Sequence, residues 1–430
     1  MNTKEFLVPY LTKTDFILYL QCPKSLWLKK HKPKEYQHYK KPSDSFLLDD
    51  YEVKKYAQRL FQNERSQLFL FPPNHPTNVL FNKRLRTGEG ISTYIDILEQ
   101  NADGTYNLYE VKPSTTINAD YIKEACFQMI TLEKCELQVR DVFIIQVNPD
   151  YVRRAKFERH RLLKKVPITQ AVRDCEQKTR MEIHNALALL RQNAIYETGC
   201  GCYWKTRTNQ CDTFEYFNNT PKQKSVWELP RVKEEKLWTL LDRSIERLED
   251  VPDDIALTAK QFFQVRSAVE RKPIVKSEYI AEMLNTLTFP LYFLDYETIS
   301  TAVPKVIGAK PWQKIPFQFS LHILHEGGKL DHKEYLSDTM HGVEGVLHAL
   351  YNSIDCVGSI ISWNAPFEKL CNRTMGQLYP EYRFFLADIN DRMFDLEIIF
   401  KKAYIDAEFG GSTSLKTCCR LCVHVSHTKL

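Results

Sequence analysis

The hydrophobic and polar positions of this 430-residue chain change period several times. Near the N-terminus, Phe16, Leu18 and Leu20 predict a short helix capped by Thr14. Pro23 then suits the first turn of a second helix carrying Leu26, Trp27 and Leu28. Val53, Ala57, Leu60 and Phe61 make an apolar stripe at helical spacing. Strand-like runs follow at Ile91–Gln100 and Thr105–Pro113, joined by a turn ending in Asp103-Gly104, a hairpin signal. A helix over Ala119–Cys135 and an apolar strand at Val142–Val147 complete a strand, strand, helix, strand order that predicts an α/β core. From about Asp212 the pattern turns helical and charged, with helices predicted at Val232–Val251, Lys260–Arg271 and Ser277–Leu287. Strands return at Pro290–Asp295, Phe317–His325, Glu334–Leu336 and from Ser359, the last entering a helix near Asn364. The expected division is 1–215, a helical connector over 216–286, and 287–430.

Composition changes this picture little. A formal net charge of +5 permits nucleic acid as a partner without demanding it. The first residues lack the apolar core of a signal peptide, and no run of about 18 apolar residues suggests a membrane span. The expectation is a soluble cytoplasmic protein with no membrane partner. Its twelve cysteines then read as reduced thiols or metal ligands.

The hairpin carries the first chemistry. Side chains alternate along a strand, so Glu110 and Lys112 share a face, and Asp96 on the neighbouring strand comes beside them. Two carboxylates and a lysine suit a hard divalent cation with a charged group beside a reacting phosphate. A solvated hairpin with its charges in water is the competing reading. Cys22 alone reads as a small buried thiol. Cys200, Cys202 and Cys211, in a Gly-Cys-Gly-Cys setting, favour metal, and with Cys22 they supply four thiolates for zinc or an iron–sulfur cluster.

The block Leu11-Thr-Lys-Thr-Asp-Phe…Gln-Cys22-Pro-Lys-Ser-Leu-Trp27, then Asp96…Glu110-Val-Lys112, Gln128 and the late cysteines resembles RecB-type nucleases of the PD-(D/E)xK class, and among them the iron–sulfur exonucleases of CRISPR adaptation. The resemblance implies a restriction-endonuclease-like core with Asp96, Glu110, Lys112 and Gln128 in the catalytic site. It also implies Mg²⁺ or Mn²⁺ on Asp96 and Glu110, and a 4Fe-4S cluster on Cys22, Cys200, Cys202 and Cys211, with zinc as the alternative. Two departures stand out: Leu132 replaces the family's aromatic residue, and the late cysteine spacing differs. Related nucleases often add a ligand from an upstream helix. Glu52 is the local candidate, against an ordinary surface carboxylate.

A second set begins at Leu291-Tyr-Phe-Leu-Asp295-Tyr-Glu297 and continues at Asn364-Ala-Pro-Phe-Glu368. It resembles DnaQ-like 3′–5′ exonucleases of the RNase H-like superfamily, which implies metal binding by Asp295 and Glu297 with Glu368 as a third acid. The family's fourth acid has no counterpart: Asp395 reads as structural, and the last residues carry none. The expected second domain is a partial RNase H-like α/β domain, incomplete at its C-terminus. Cys418, Cys419, Cys422, His424 and His427 at the end could mimic a zinc site, but a truncated tail explains them better.

Together these patterns resemble a bacterial fusion of a RecB-like and a DnaQ-like domain. The implied function is a metal-dependent DNA exonuclease in repair, recombination or phage defence, acting on DNA that is single-stranded or has a free end. The basic, aromatic block Lys24–Lys41 could track such a strand, or be an ordinary solvated surface. The alternative function is a nucleic-acid-binding or regulatory protein with degenerate nuclease domains.

Overall fold

The computed structural model describes residues 10–41, 47–67, 79–339 and 341–420; Cys422, His424 and His427 lie outside them. The fold is mixed α/β and separates into two compact units. The first comprises Met1–Tyr203, Cys211–Asn218 and Thr301–Trp312; the second comprises Trp204–Gln210, Asn219–Ser300 and Gln313–Leu430.

The first unit is built on a six-stranded sheet of β1 (Leu11–Thr12), β2 (Val79–Arg86), β3 (Ile91–Gln100), β4 (Tyr106–Lys112), β5 (Val139–Val147) and β6 (Leu163–Pro167). β3 pairs antiparallel with β2 and β4, and β1 adds two residues parallel to the start of β3. The β3–β4 turn depends on Gly104, whose φ of 83° is left-handed, and on Asp103, whose carboxylate accepts the Thr105 N–H at 3.0 Å. β4 runs parallel to β5, which requires a crossover, supplied by the Ala119–Glu133 helix. Asn118 caps that helix by accepting the Tyr121 N–H at 2.9 Å.

Both faces of the sheet are covered, so its central strands are apolar on both sides. On one face, helices Lys13–Gln21, Ala119–Glu133 and Thr169–Leu190 bury Phe16, Phe127 and Val172 against Ile95, Leu108 and Ile144. On the other, Val53, Ala57 and Phe61 of the Leu47–Gln67 helix pack on Ile97, Tyr109 and Ile145. Ala302 and Val303, far away in sequence, join this second cluster. The first helix begins earlier than the spacing predicts. Its cap is Thr12, not Thr14, because Thr12 and Asp15 form a reciprocal capping box.

The second unit holds β7 (Ile274–Val275), β8 (Leu291–Ile299), β9 (Ile315–Leu324), β10 (Leu330–Leu336), β11 (Ser359–Ser362), β12 (Met393–Asp395) and β13 (Tyr404–Ile405). Five form one sheet in the order β10-β9-β8-β11-β12, antiparallel from β10 to β8 and parallel from β8 to β12. β7 and β13 make a separate antiparallel pair. The Ala365–Leu378 helix follows β11 directly, as the Ser359–Glu368 pattern predicts. The continuous helix predicted over Val232–Val251 is not formed. It stops at Asp242, where the chain turns through Ser244 at φ 58° and residues Leu248–Asp250 form a short 3-10 turn.

Candidate functional sites

β3 and β4 pair from Ile97–Tyr109 outward to Gln100–Tyr106 and part company beyond that point. Asp96 and Glu110 stand where the ladder ends. The Val111 N–H, beyond the last paired residue of β3, donates to Asp96 Oδ2 at 2.9 Å. The strand is irregular here. Ile95 packs with the helices of one face and Ile97 with the helix of the other, so strict alternation breaks at Asp96. Asn82, on the neighbouring β2, has a left-handed φ of 51°.

Glu110 is 1% exposed and is the centre of the site. It accepts from the Lys13 ammonium, from Lys112 at 2.9 Å and from Gln128 Nε2 at 2.7 Å. Burial alone would raise its pKa, but Lys13 and Lys112 outweigh burial and hold it far below the carboxylate range. Asp96 goes the other way. Burial, then the charge of Glu110, pushes it up to about 6, although Lys54 lies 3.2 Å from Oδ1. Lys112 also meets Glu124 at 2.5 Å. Burial lowers its pKa, but Glu110 and Glu124 reverse that and raise it. Gln128 donates additionally to the Tyr94 carbonyl at 2.9 Å, and its buried Oε1 has no hydrogen-bond partner.

The four residues singled out from sequence therefore lie together, and three others join them: Lys13, Lys54 and Glu124. Glu124 precedes Gln128 by one helical turn, a spacing that places both on one helix face and could have identified it. Glu52 does not reach the site. It pairs with Lys305 and accepts from Tyr56 at 3.2 Å, while Lys54, two residues on, turns to Asp96. The all-oxygen donor set of Asp96 and Glu110 fits a hard divalent cation.

Cys22, Cys200, Cys202 and Cys211 form the second centre. Their sulfur atoms lie within 4.8 Å of one another and all four residues are buried. Cys22 occupies the extended junction between two helices, and Gly199 enters the late segment at φ 69°. Asn218 holds Cys200 at both ends, accepting its N–H at 3.1 Å and donating to its Sγ at 3.1 Å. Four thiols so placed fit a metal.

The second unit places Asp295 and Glu297 on β8, both exposed, and Glu368 at 2% exposure in the first turn of its helix. Burial, then the charges of Asp295 and Asp395, pushes Glu368 up to about 7, and its Oε2 is buried without a partner. Asp395 Oδ1 accepts the N–H groups of Asn364 and Glu397, both at 3.1 Å, which fixes the turn at the end of β11. No helix among the described residues is long and apolar enough to cross a membrane.

Residues 292–414 match a family described as a domain of unknown function, DUF2779. No protein of curated function matches the chain in sequence. Among solved structures, the chain is similar to the crystal structure of SSO0001, at 14% identity over 42% of this chain and 78% of that one, with a TM-score of 0.22. It is also similar to an alkaline exonuclease, LHK-Exo, from Laribacter hongkongensis, at 11% identity over 42% and 89%, with a TM-score of 0.27. Similarity at that level assigns no function.

Proposed function

We propose that the first unit is a metal-dependent nuclease that hydrolyses DNA phosphodiester bonds, with Asp96 and Glu110 as metal ligands and Lys112 beside the reacting phosphate. The observation that carries this is the convergence of two buried carboxylates and a paired lysine at the end of the β3–β4 ladder. A divalent cation bound there would supply an activated water and polarise a phosphate oxygen. Gln128 fixes the orientation of Glu110, and the Val111 N–H fixes that of Asp96. Lys112 faces the charge that develops on the phosphate in the transition state. DNA that is single-stranded or has a free end is the proposed substrate, in repair, recombination or phage defence. In this reading the four cysteines hold a structural metal, an iron–sulfur cluster by resemblance, with zinc as the alternative. The second unit is an RNase H-like domain carrying a partial exonuclease site at Asp295, Glu297 and Glu368.

End-labelled single-stranded and duplex DNA, incubated with Mg²⁺ or Mn²⁺, tests the activity. Lys112→Ala is expected to lower the rate by about 10²-fold or more. Cleavage by that variant at the wild-type rate would remove the assignment. Tight DNA binding without cleavage under any divalent metal would favour the binding-protein alternative.

A further inference from the structure

Lys13 and Lys112 occupy equivalent positions. Each ammonium group meets the same two oxygens, Glu110 Oε1 and Glu124 Oε2. Lys112 lies at 2.9 and 2.5 Å from them, and Lys13 is bonded to the first and 3.4 Å from the second. Two positive charges are thus held side by side. Helix stability does not explain this. Lys13 is the first residue of its helix, where the dipole disfavours a cation. Nor does Glu110 need both, since one close ammonium already pairs a buried carboxylate. The placement of Lys13 is nevertheless firmly fixed. The Leu11 N–H donates to the Gly90 carbonyl at 2.8 Å, β1 pairs with the start of β3, and the capping box holds Thr12 and Asp15.

The charges point to a purpose. Asp96, Glu110 and Glu124 face Lys13, Lys54 and Lys112, and Asp50 also pairs with Lys54, so four negative groups meet three positive. Binding of one divalent cation leaves an excess of one positive charge, which suits a phosphate gaining negative charge. We propose that Lys13 is a second phosphate-facing lysine, the counterpart of Lys112, and that Glu124 keeps both ammonium groups in place once a cation engages Glu110. This rests on the nuclease reading. In the hydrolysis a water oxygen forms a bond to phosphorus, and the ester P–O bond breaks. The attacking water gives up one proton to solvent, the leaving oxygen takes one from it, and nothing is oxidised or reduced. Lys13 and Lys112 act on the non-bridging oxygens and transfer no proton.

The test compares wild type, Lys13→Gln, Lys13→Arg and Lys112→Ala as full chains on one labelled oligonucleotide with Mg²⁺. Binding of the same oligonucleotide is followed by fluorescence anisotropy in Ca²⁺. Lys13→Gln is expected to lower kcat by about 10²-fold while KM and the binding constant change by less than about threefold. Lys13→Arg should recover most of the rate, and the melting temperatures should stay close to wild type. Lys13→Gln turning over at the wild-type rate would overturn the proposal. So would equal losses in Lys13→Gln and Lys13→Arg accompanied by a lowered melting temperature, which would mark a structural role. If wild type cleaves and only Lys112→Ala is inactive, the inference about Lys13 fails and the nuclease reading stands. If wild type does not cleave, both fall.

Discussion

Asp15 is 1% exposed, yet it pairs with Lys29 at 2.7 Å and Lys30 at 2.5 Å and closes the cap of the first helix. Burial by itself would raise its pKa, but Lys29, Lys30 and Thr12 together hold it below its ordinary value of 3.8. A carboxylate depressed by folding contributes stability that is fully present above the unfolded value and is lost as pH falls through the folded one. Asp15→Asn is therefore expected to cost about 1–3 kcal/mol near pH 7. In thermal melts the gap from wild type should close as the pH drops below the unfolded carboxylate range. A gap that stays constant down to strong acid would contradict this. Asp96, Glu110 and Lys112 were legible in the sequence because alternation puts Glu110 and Lys112 on one face of a strand and the hairpin brings Asp96 beside them, whereas Gln128 came from the resemblance. Lys13 was not, because it meets Glu110 across 97 residues of chain and only the tertiary fold sets that pairing. The helical stripe that draws attention to Glu52 says nothing of Lys305, its partner 253 residues away.

At the scale of elements, β11 docks beside β8 through a close backbone approach at its entrance. Gly358 has φ 95°, and a Cβ there would fall 2.3 Å from the Pro290 carbonyl oxygen. No rotamer relieves such a clash, because the obstacle is backbone. Gly358→Ala should destabilise the second unit by about 2–3 kcal/mol, lowering the denaturant midpoint with little change in slope. An unchanged midpoint would show that β11 can shift. Strand and helix types in this region followed from the sequence because Asp295 and Glu368 sit at the ends of clear apolar runs. The overlong helix at Val232–Val251 did not fail for lack of periodicity. Leu237, Leu240 and Leu241 are buried as the spacing implies, and Leu248 is buried too, but from a separate turn. Apolar spacing alone cannot distinguish one helix from a helix and a turn that face the same core.

At the scale of the whole molecule, the four cysteines tie Cys22 to a segment nearly two hundred residues later. A metal that binds only the folded chain stabilises it by mass action. Cys202→Ser is expected to lose the metal on elemental analysis and to lower the melting temperature by roughly 5 °C or more. An unaltered metal content would show that the thiols are structural packing. Visible colour in the wild-type protein distinguishes iron from colourless zinc. The pairing of Cys22 with the late cysteines came from the count of four thiolates a metal needs, and then from resemblance. Spacing exposed only the late three.

The excursion of residues 301–312 into the first unit bears on how the gene can be divided. Ala302 is fully buried beside Val53 and Ala57, its N–H donates to Asp49 at 2.6 Å, and the Trp312 indole donates to the Pro113 carbonyl at 2.8 Å. Any single cut between positions 218 and 301 strips this strap from the first unit and leaves an apolar scar on it. The two halves therefore cannot be exchanged between genes by one recombination event. A functional shuffling of this protein must carry a twelve-residue segment of one half embedded in the coding sequence of the other.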